Sequence, residues 1–269
     1  MGHRARDPGA DGVSQASAPA TEGRERALPA LVNLIVVLAD TKYFLGRRIS
    51  EWAPGAPFLE ASVACAAIAQ EDLGHSRVIY PLLEDLPYPN RPQPLERETD
   101  RQRRYCVRFL DAPFPTWSHA VVTCALVDTA VTTMFGALVR SRYEPLAGRV
   151  RRALDEERVH LGYAESLVRR LAATPQGAVA LQARVDEVLL EMLCWFGPAG
   201  EPGVEALVAE GFLGAANEAL RQAYLARVAP VLLEAGVRLP VQWNMETLQW
   251  DLPPLPWERW NPIQRRLEP

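Results

Sequence analysis

Proline placement constrains this chain more than any other feature. Most of its 23 prolines fall between long apolar-periodic stretches rather than inside them, where helix punctuation belongs. The spacing predicts helix 1 over 28–52, helix 2 over 57–84, a charged connector helix over 94–110, helix 3 over 115–143 and helix 4 over 145–173. A fifth helix is expected over 176–196 and shorter ones within 204–235. Four helices of about 25 residues or more are far longer than the usual ~11–12. Joined by alternating short and long connections, they predict an all-α four-helix bundle with one crossover, residues 86–114. The expected organisation is a disordered segment 1–27, a helical domain 28–238 and an irregular tail 239–269 rich in Pro and Trp. Four of the seven tryptophans, Trp243, Trp250, Trp257 and Trp260, lie in that tail. It either wraps its own bundle or docks a partner through aromatic anchors.

Composition narrows the function classes. Of 269 residues, 48% are hydrophobic, enough for a sizeable core. A net charge of −4 speaks against a nucleic-acid binder or an anionic-membrane binder. The longest apolar run, Leu31 to Ala39, is far short of the ~20 residues that span a bilayer. The polar N-terminus carries no signal-like apolar stretch, so the expectation is a soluble, cytoplasmic protein. Cys65, Cys106, Cys124 and Cys194 form no CxxC pair and read as core residues in a reducing compartment. The basic residues are nearly all arginine. The one lysine, Lys42, follows Asp40 by two residues and is expected to turn away from any site Asp40 faces.

The chain has only four histidines, and two of them recur in one local pattern. Helix 2 holds Glu71-Asp72-Leu73-Gly74-His75 and helix 4 holds Glu156-Glu157-Arg158-Val159-His160. Positions i and i+3 share a helix face, so Asp72 with His75, and Glu157 with His160, can each aim at one point. Bundle-core dinuclear metal sites use this pair twice, with one carboxylate from each remaining helix. Asp40 and Asp128 end apolar runs on helices 1 and 3, where an unpaired charge is costly. Asp40 lies 12 residues from Trp52, and Pro57 lies 15 from Asp72; at about 1.5 Å per residue the two carboxylates reach one level. Asp128 and Glu157 match in the same way. The expected ligands are therefore Asp40, Asp72, His75, Asp128, Glu157 and His160. Glu71 and Glu156 either support the histidine of the opposite helix, as carboxylates behind metal-bound imidazoles do, or are exposed charges. Tyr43, Phe44 and Thr132 lie one turn from the aspartates and either line a pocket or pack the core. His119 reads as structural or exposed, and His3 falls in the lead-in.

The stretch Gln70-Glu71-Asp72-Leu73-Gly74-His75 and its partner at 156–160 resemble the metal motifs of ferritin-like bacterial multicomponent monooxygenases. Residues 45–52 (Leu-Gly-Arg-Arg-Ile-Ser-Glu-Trp) and 55–60 (Gly-Ala-Pro-Phe-Leu-Glu) resemble the phenylacetate-catabolism family, which includes catalytic and structural subunits of phenylacetyl-CoA epoxidase. The resemblance covers about residues 31–195. It implies a ferritin-like fold with two iron ions, or manganese or a mixed pair. It also implies O2 activation with electrons from a separate reductase, a CoA-thioester substrate oxidised on its aromatic ring, and a homo- or hetero-oligomer. Asp72 stands where the family pattern has Glu, and Asp40 is likewise the shorter acid. The alternatives are a non-catalytic structural subunit of such a complex and another ferritin-like Fe or Mn oxidase.

Overall fold

The computed structural model describes residues 18–89, 92–97 and 103–269. It is all-α apart from two small hairpins, and its centre is a ferritin-like four-helix bundle. The helices are α1 (Ala18–Ser50), α2 (Leu59–Ile79), α3 (Trp117–Val122), α4 (Thr129–Leu138) and α5 (Glu144–Ala172). A π-helical turn, Thr123–Asp128, joins α3 to α4 into one rod. The bundle thus consists of α1, α2, the α3–α4 rod and α5. Outside it, α6 (Pro175–Trp195) packs on α3 and α5, α7 (Pro202–Ala209) on α1, and α8 (Asn217–Glu234) on α4 and α5.

α1 begins at Ala18, ten residues before the expected start. Its first turns are rich in Ala, Glu and Arg, all good helix formers, so polarity there does not end the helix. Residues 1–17, including His3, lie outside the described residues. The expected connector helix does not form among the described residues of 92–110, which hold one 3₁₀ turn, Arg108–Leu110. Side chains at the end of α1 and in the turn that follows hold this segment instead. Arg48 Nε donates to the Leu110 carbonyl at 3.1 Å, and Glu51 accepts from the Phe114 N–H at 3.4 Å. Trp52 meets Trp117 with ring centroids 5.6 Å apart. Residues 45–52 therefore fasten the crossover to the bundle.

Two apolar helical stretches, Arg26–Ser50 and Trp117–Leu138, are long enough to cross a membrane, but most of each is buried inside the bundle. All four cysteines are free and buried. The tail, expected to be irregular, wraps the bundle with two antiparallel ladders. In one, β1 (Gln242–Asn244) pairs with β2 (Gln249–Asp251); in the other, β3 (Trp260–Asn261) pairs with β4 (Arg266–Leu267). Trp243 opposes Trp250, and Trp250 is buried. Buried Arg265 donates to the Trp195 and Phe196 carbonyls at 2.9 and 2.5 Å, satisfying acceptors that the end of α6 leaves open.

α1 and α2 approach closely at Gly46. A Cβ there would lie 2.8 Å from the Ala69 carbonyl oxygen and 2.8 Å from Leu73 Cγ. The backbone contact cannot yield cheaply, so Gly46→Ala should cost roughly 1–3 kcal/mol, as overpacking does. Denaturant unfolding checks this, and an unchanged midpoint would contradict it.

Candidate metal centre

At the middle of the bundle three helices bring carboxylates together. Asp72 comes from α2, Asp128 from the end of the π-helical turn and Glu157 from α5, and all three are buried. The π turn, a feature that often marks functional sites, places Asp128 on the bundle's inner face. The histidines follow the i+3 geometry of the two motifs. His75 Nδ1 lies 3.2 Å from Glu157 Oε1, and His160 Nδ1 lies 3.2 Å from Asp128 Oδ2 and 3.7 Å from Glu157 Oε2. Asp72, Asp128, Glu157 and His160 each offer one ligand atom within 4.8 Å of one another. That approaches the ~4.2 Å that separates opposite ligands of an ion at about 2.1 Å.

Each imidazole is held from behind by the other motif's first acid. His75 Nε2 meets Glu156 at 2.7 Å, and His160 Nε2 meets Glu71 at 2.6 Å. These contacts cross between α2 and α5. A carboxylate on Nε2 favours the tautomer with hydrogen there and turns the Nδ1 lone pair inward. Thr132 also belongs here, its hydroxyl donating to Glu157 Oε2 at 2.8 Å. Tyr43 lies instead along an outer cleft of about 410 Å³ with Ser76 and Tyr80. Phe44 packs under Arg104, whose guanidinium sits 4.9 Å from its ring centre. His119 is structural: it accepts or donates at Thr116, takes an Arg184 contact of 2.8 Å and stacks on Phe109.

Two residues of α1 exchange the places expected of them. Asp40 stands apart from the other five expected ligands. Its carboxylate is fully buried but clasped by Arg103 of the crossover, Nε to Oδ2 at 2.7 Å and Nη2 to Oδ1 at 2.9 Å. Lys42 points into the centre. Its Nζ donates to Asp72 Oδ1 at 2.7 Å, to Asp128 Oδ1 at 2.5 Å and to Glu157 Oε1. Residues two apart on a helix project to nearly opposite sides. The level inferred for Asp40 serves Lys42 equally, and only the rotational phase of α1 decides which residue faces inward.

The six donors expected from the sequence therefore do not all converge, because Asp40 is held by Arg103. Three carboxylates and two imidazoles remain, a group that can hold a metal ion. Two buried atoms among them, Asp72 Oδ2 and His75 Nδ1, have no hydrogen-bond partner, and buried polar atoms need one. Without metal, the charges are settled by protons. Burial opposes the Lys42 charge, but Asp128, Asp72 and Glu157 hold its pKa well above the ordinary value. Burial pushes Asp72 up to about 7 against the pull of Lys42. Burial acts the same way on Glu157, yet Lys42 and the two histidines hold it well below the usual range. For His160, burial is outweighed by hydrogen bonds to Asp128 and Glu157, and its pKa rises to about 11.

Known proteins resemble this chain over most of its length. A family model described as phenylacetic acid catabolic protein matches residues 14–252. One component of the 1,2-phenylacetyl-CoA epoxidase of Escherichia coli K12 is 24% identical over 204 residues, covering 76% of this chain and 81% of that protein.

The His160 shift predicts a pH dependence for the chelator-treated chain. A pKa raised from 6.5 to about 11 on folding gives stability that is complete below pH 6.5 and lost as pH rises toward 11. Unfolding free energy should fall between pH 7 and 9.5 with a slope of at most ~1.4 kcal/mol per unit. His160→Gln should flatten that slope; equal slopes in both proteins would contradict the assignment.

Proposed function

The chain belongs to the phenylacetic acid catabolic protein family, and we propose that it works as a metal-binding subunit of an epoxidase-type oxygenase complex. The observation that carries this reading is the crossed pair of motifs, in which Glu71 holds His160 and Glu156 holds His75 around shared carboxylates. Buried imidazoles with inward lone pairs and carboxylate support are metal ligands in their usual dress. Iron suits a mixed carboxylate and imidazole set, with manganese the alternative. When bound, iron supplies the electron transfer that activates O2. We further propose a cytoplasmic setting, electrons from a separate reductase and an aryl-CoA thioester or related aromatic substrate.

The chain's own residues have definable tasks in this reading. Asp72, Asp128, Glu157 and His160 hold the ion, with His75 beside them. Glu71 and Glu156 fix the imidazole tautomers. Thr132 orients Glu157, and Phe135 packs against His75 in a near-perpendicular contact at 6.3 Å. Lys42 holds the three carboxylates at fixed separations.

A second reading, a structural subunit without chemistry of its own, is favoured by one observation: an ammonium group already neutralises part of the carboxylate cluster. Reconstitution separates the two. The purified chain, its co-purifying partner and a reductase should consume O2 and convert phenylacetyl-CoA. His160→Ala should lower that rate at least ~100-fold, a ligand-loss effect. An equal rate with His160→Ala would place the chemistry in the partner and leave this chain the structural role.

A further inference from the structure

We infer that the centre is built for one divalent metal ion, with the Lys42 ammonium standing in place of both a fourth carboxylate and a second ion. The inference rests on the proposed metal-binding reading and specifies what that site takes.

Geometry comes first. An ammonium carries three N–H donors, and Lys42 uses one on each of the three carboxylates, touching Asp72 Oδ1, Asp128 Oδ1 and Glu157 Oε1. Each carboxylate therefore gives one oxygen to the lysine and keeps its second. Asp72 Oδ2 has no partner, Asp128 Oδ2 is 3.2 Å from His160 Nδ1, and Glu157 Oε2, which also accepts from Thr132, is 3.7 Å from the same nitrogen. The cluster thus has two sides, a lysine side already filled and an opposite side with unused donor capacity. His75 Nδ1, buried and 3.2 Å from the lysine-bound Glu157 Oε1, adds a donor at the edge between the two sides.

Charge gives the same count. Three buried carboxylates and one ammonium leave two negative charges, which one divalent ion neutralises. A second ion would leave two positive charges in excess at a place from which water is excluded, a large penalty. Glu71 and Glu156 do not change this balance much, since they stand 40% and 50% exposed at side-chain level and solvent screens them. Replacing a carboxylate by lysine changes the local charge by two, the charge of one such ion. Residue choice points the same way. The chain has 29 basic residues, and its only lysine is the one at this point. A compact ammonium can reach three converging oxygens, whereas the planar arginine fork matches one carboxylate at a time, as Arg103 does with Asp40.

The test is metal stoichiometry of the full chain, loaded with Fe2+ without oxygen, or with Mn2+, then desalted. Wild type should retain about one ion per chain, and its Mn2+ form should give the EPR spectrum of an isolated ion. Lys42→Glu should raise the count to about two and give a spin-coupled spectrum, since the fourth carboxylate is then present. Two ions in wild type, or fewer than about 0.2, would overturn the inference. So would a folded Lys42→Glu that stays at one. If Lys42→Glu does not fold, the wild-type count and spectrum decide alone. A chain with one ion that fails to support phenylacetyl-CoA turnover overturns the functional reading and leaves this inference standing. Turnover with two ions does the reverse.

Discussion

The structure is organised around one buried ion cluster, the Lys42 ammonium with Asp72, Asp128 and Glu157. Buried charges are expensive unless paired and hydrogen-bonded. Here a single cation satisfies three acids from three polypeptide segments. The cluster therefore sets the relative positions of α1, α2, the π turn and α5 at one level of the bundle. Apolar packing brings these helices together, but it is indifferent to small rotations and slips. The ammonium is not, because its three donors must meet three acceptors at once.

Around the cluster, successive layers hold the geometry. The imidazoles pack against the carboxylates, and half-exposed Glu71 and Glu156 fix the imidazoles from behind. Gly46 lets α1 lie against α2 one turn beyond Lys42. Arg48, Glu51 and Trp52 fasten the crossover, and that crossover delivers Arg103 to Asp40. Asp40 and Lys42 thus serve two different networks from opposite sides of one helix. The tail closes the far end through Arg265, so it is a strap on the bundle.

Much of this was legible in the sequence. Helical periodicity and proline spacing located the long helices, since both are local signals. The repeated acid–acid–x–x–His pattern located four of the residues that meet, Asp72, His75, Glu157 and His160, because i,i+3 spacing fixes a shared helix face. The crossed glutamate contacts follow from the same repeat. What stayed hidden depended on rotation or tertiary context. Counting residues gives height along a helix but not phase, so Asp40 and Lys42 were indistinguishable by level. The phase of α1 is set by Gly46 against α2 and by Arg103, which arrives from 63 residues away. The π turn at Thr123–Asp128 has no composition that separates it from ordinary helix. Among its described residues the connector forms no α-helix, and its contacts there come from Arg48, Glu51 and Trp52. The solitary Lys42 was the one available signal. In a chain that otherwise uses arginine, a lone lysine amid an apolar run, two residues from an acid, marks a position where an arginine does not fit.

In the one-ion reading, the lysine and a single metal ion share the carboxylates that two ions would otherwise share. The most direct measurement is anomalous diffraction from crystals of the metal-loaded chain. The expected result is one metal peak per chain among Asp72, Asp128, Glu157 and His160, with Lys42 Nζ still bonded to the first oxygens of the carboxylates. Two peaks, or a single peak at the Nζ position with the lysine side chain displaced, would contradict it.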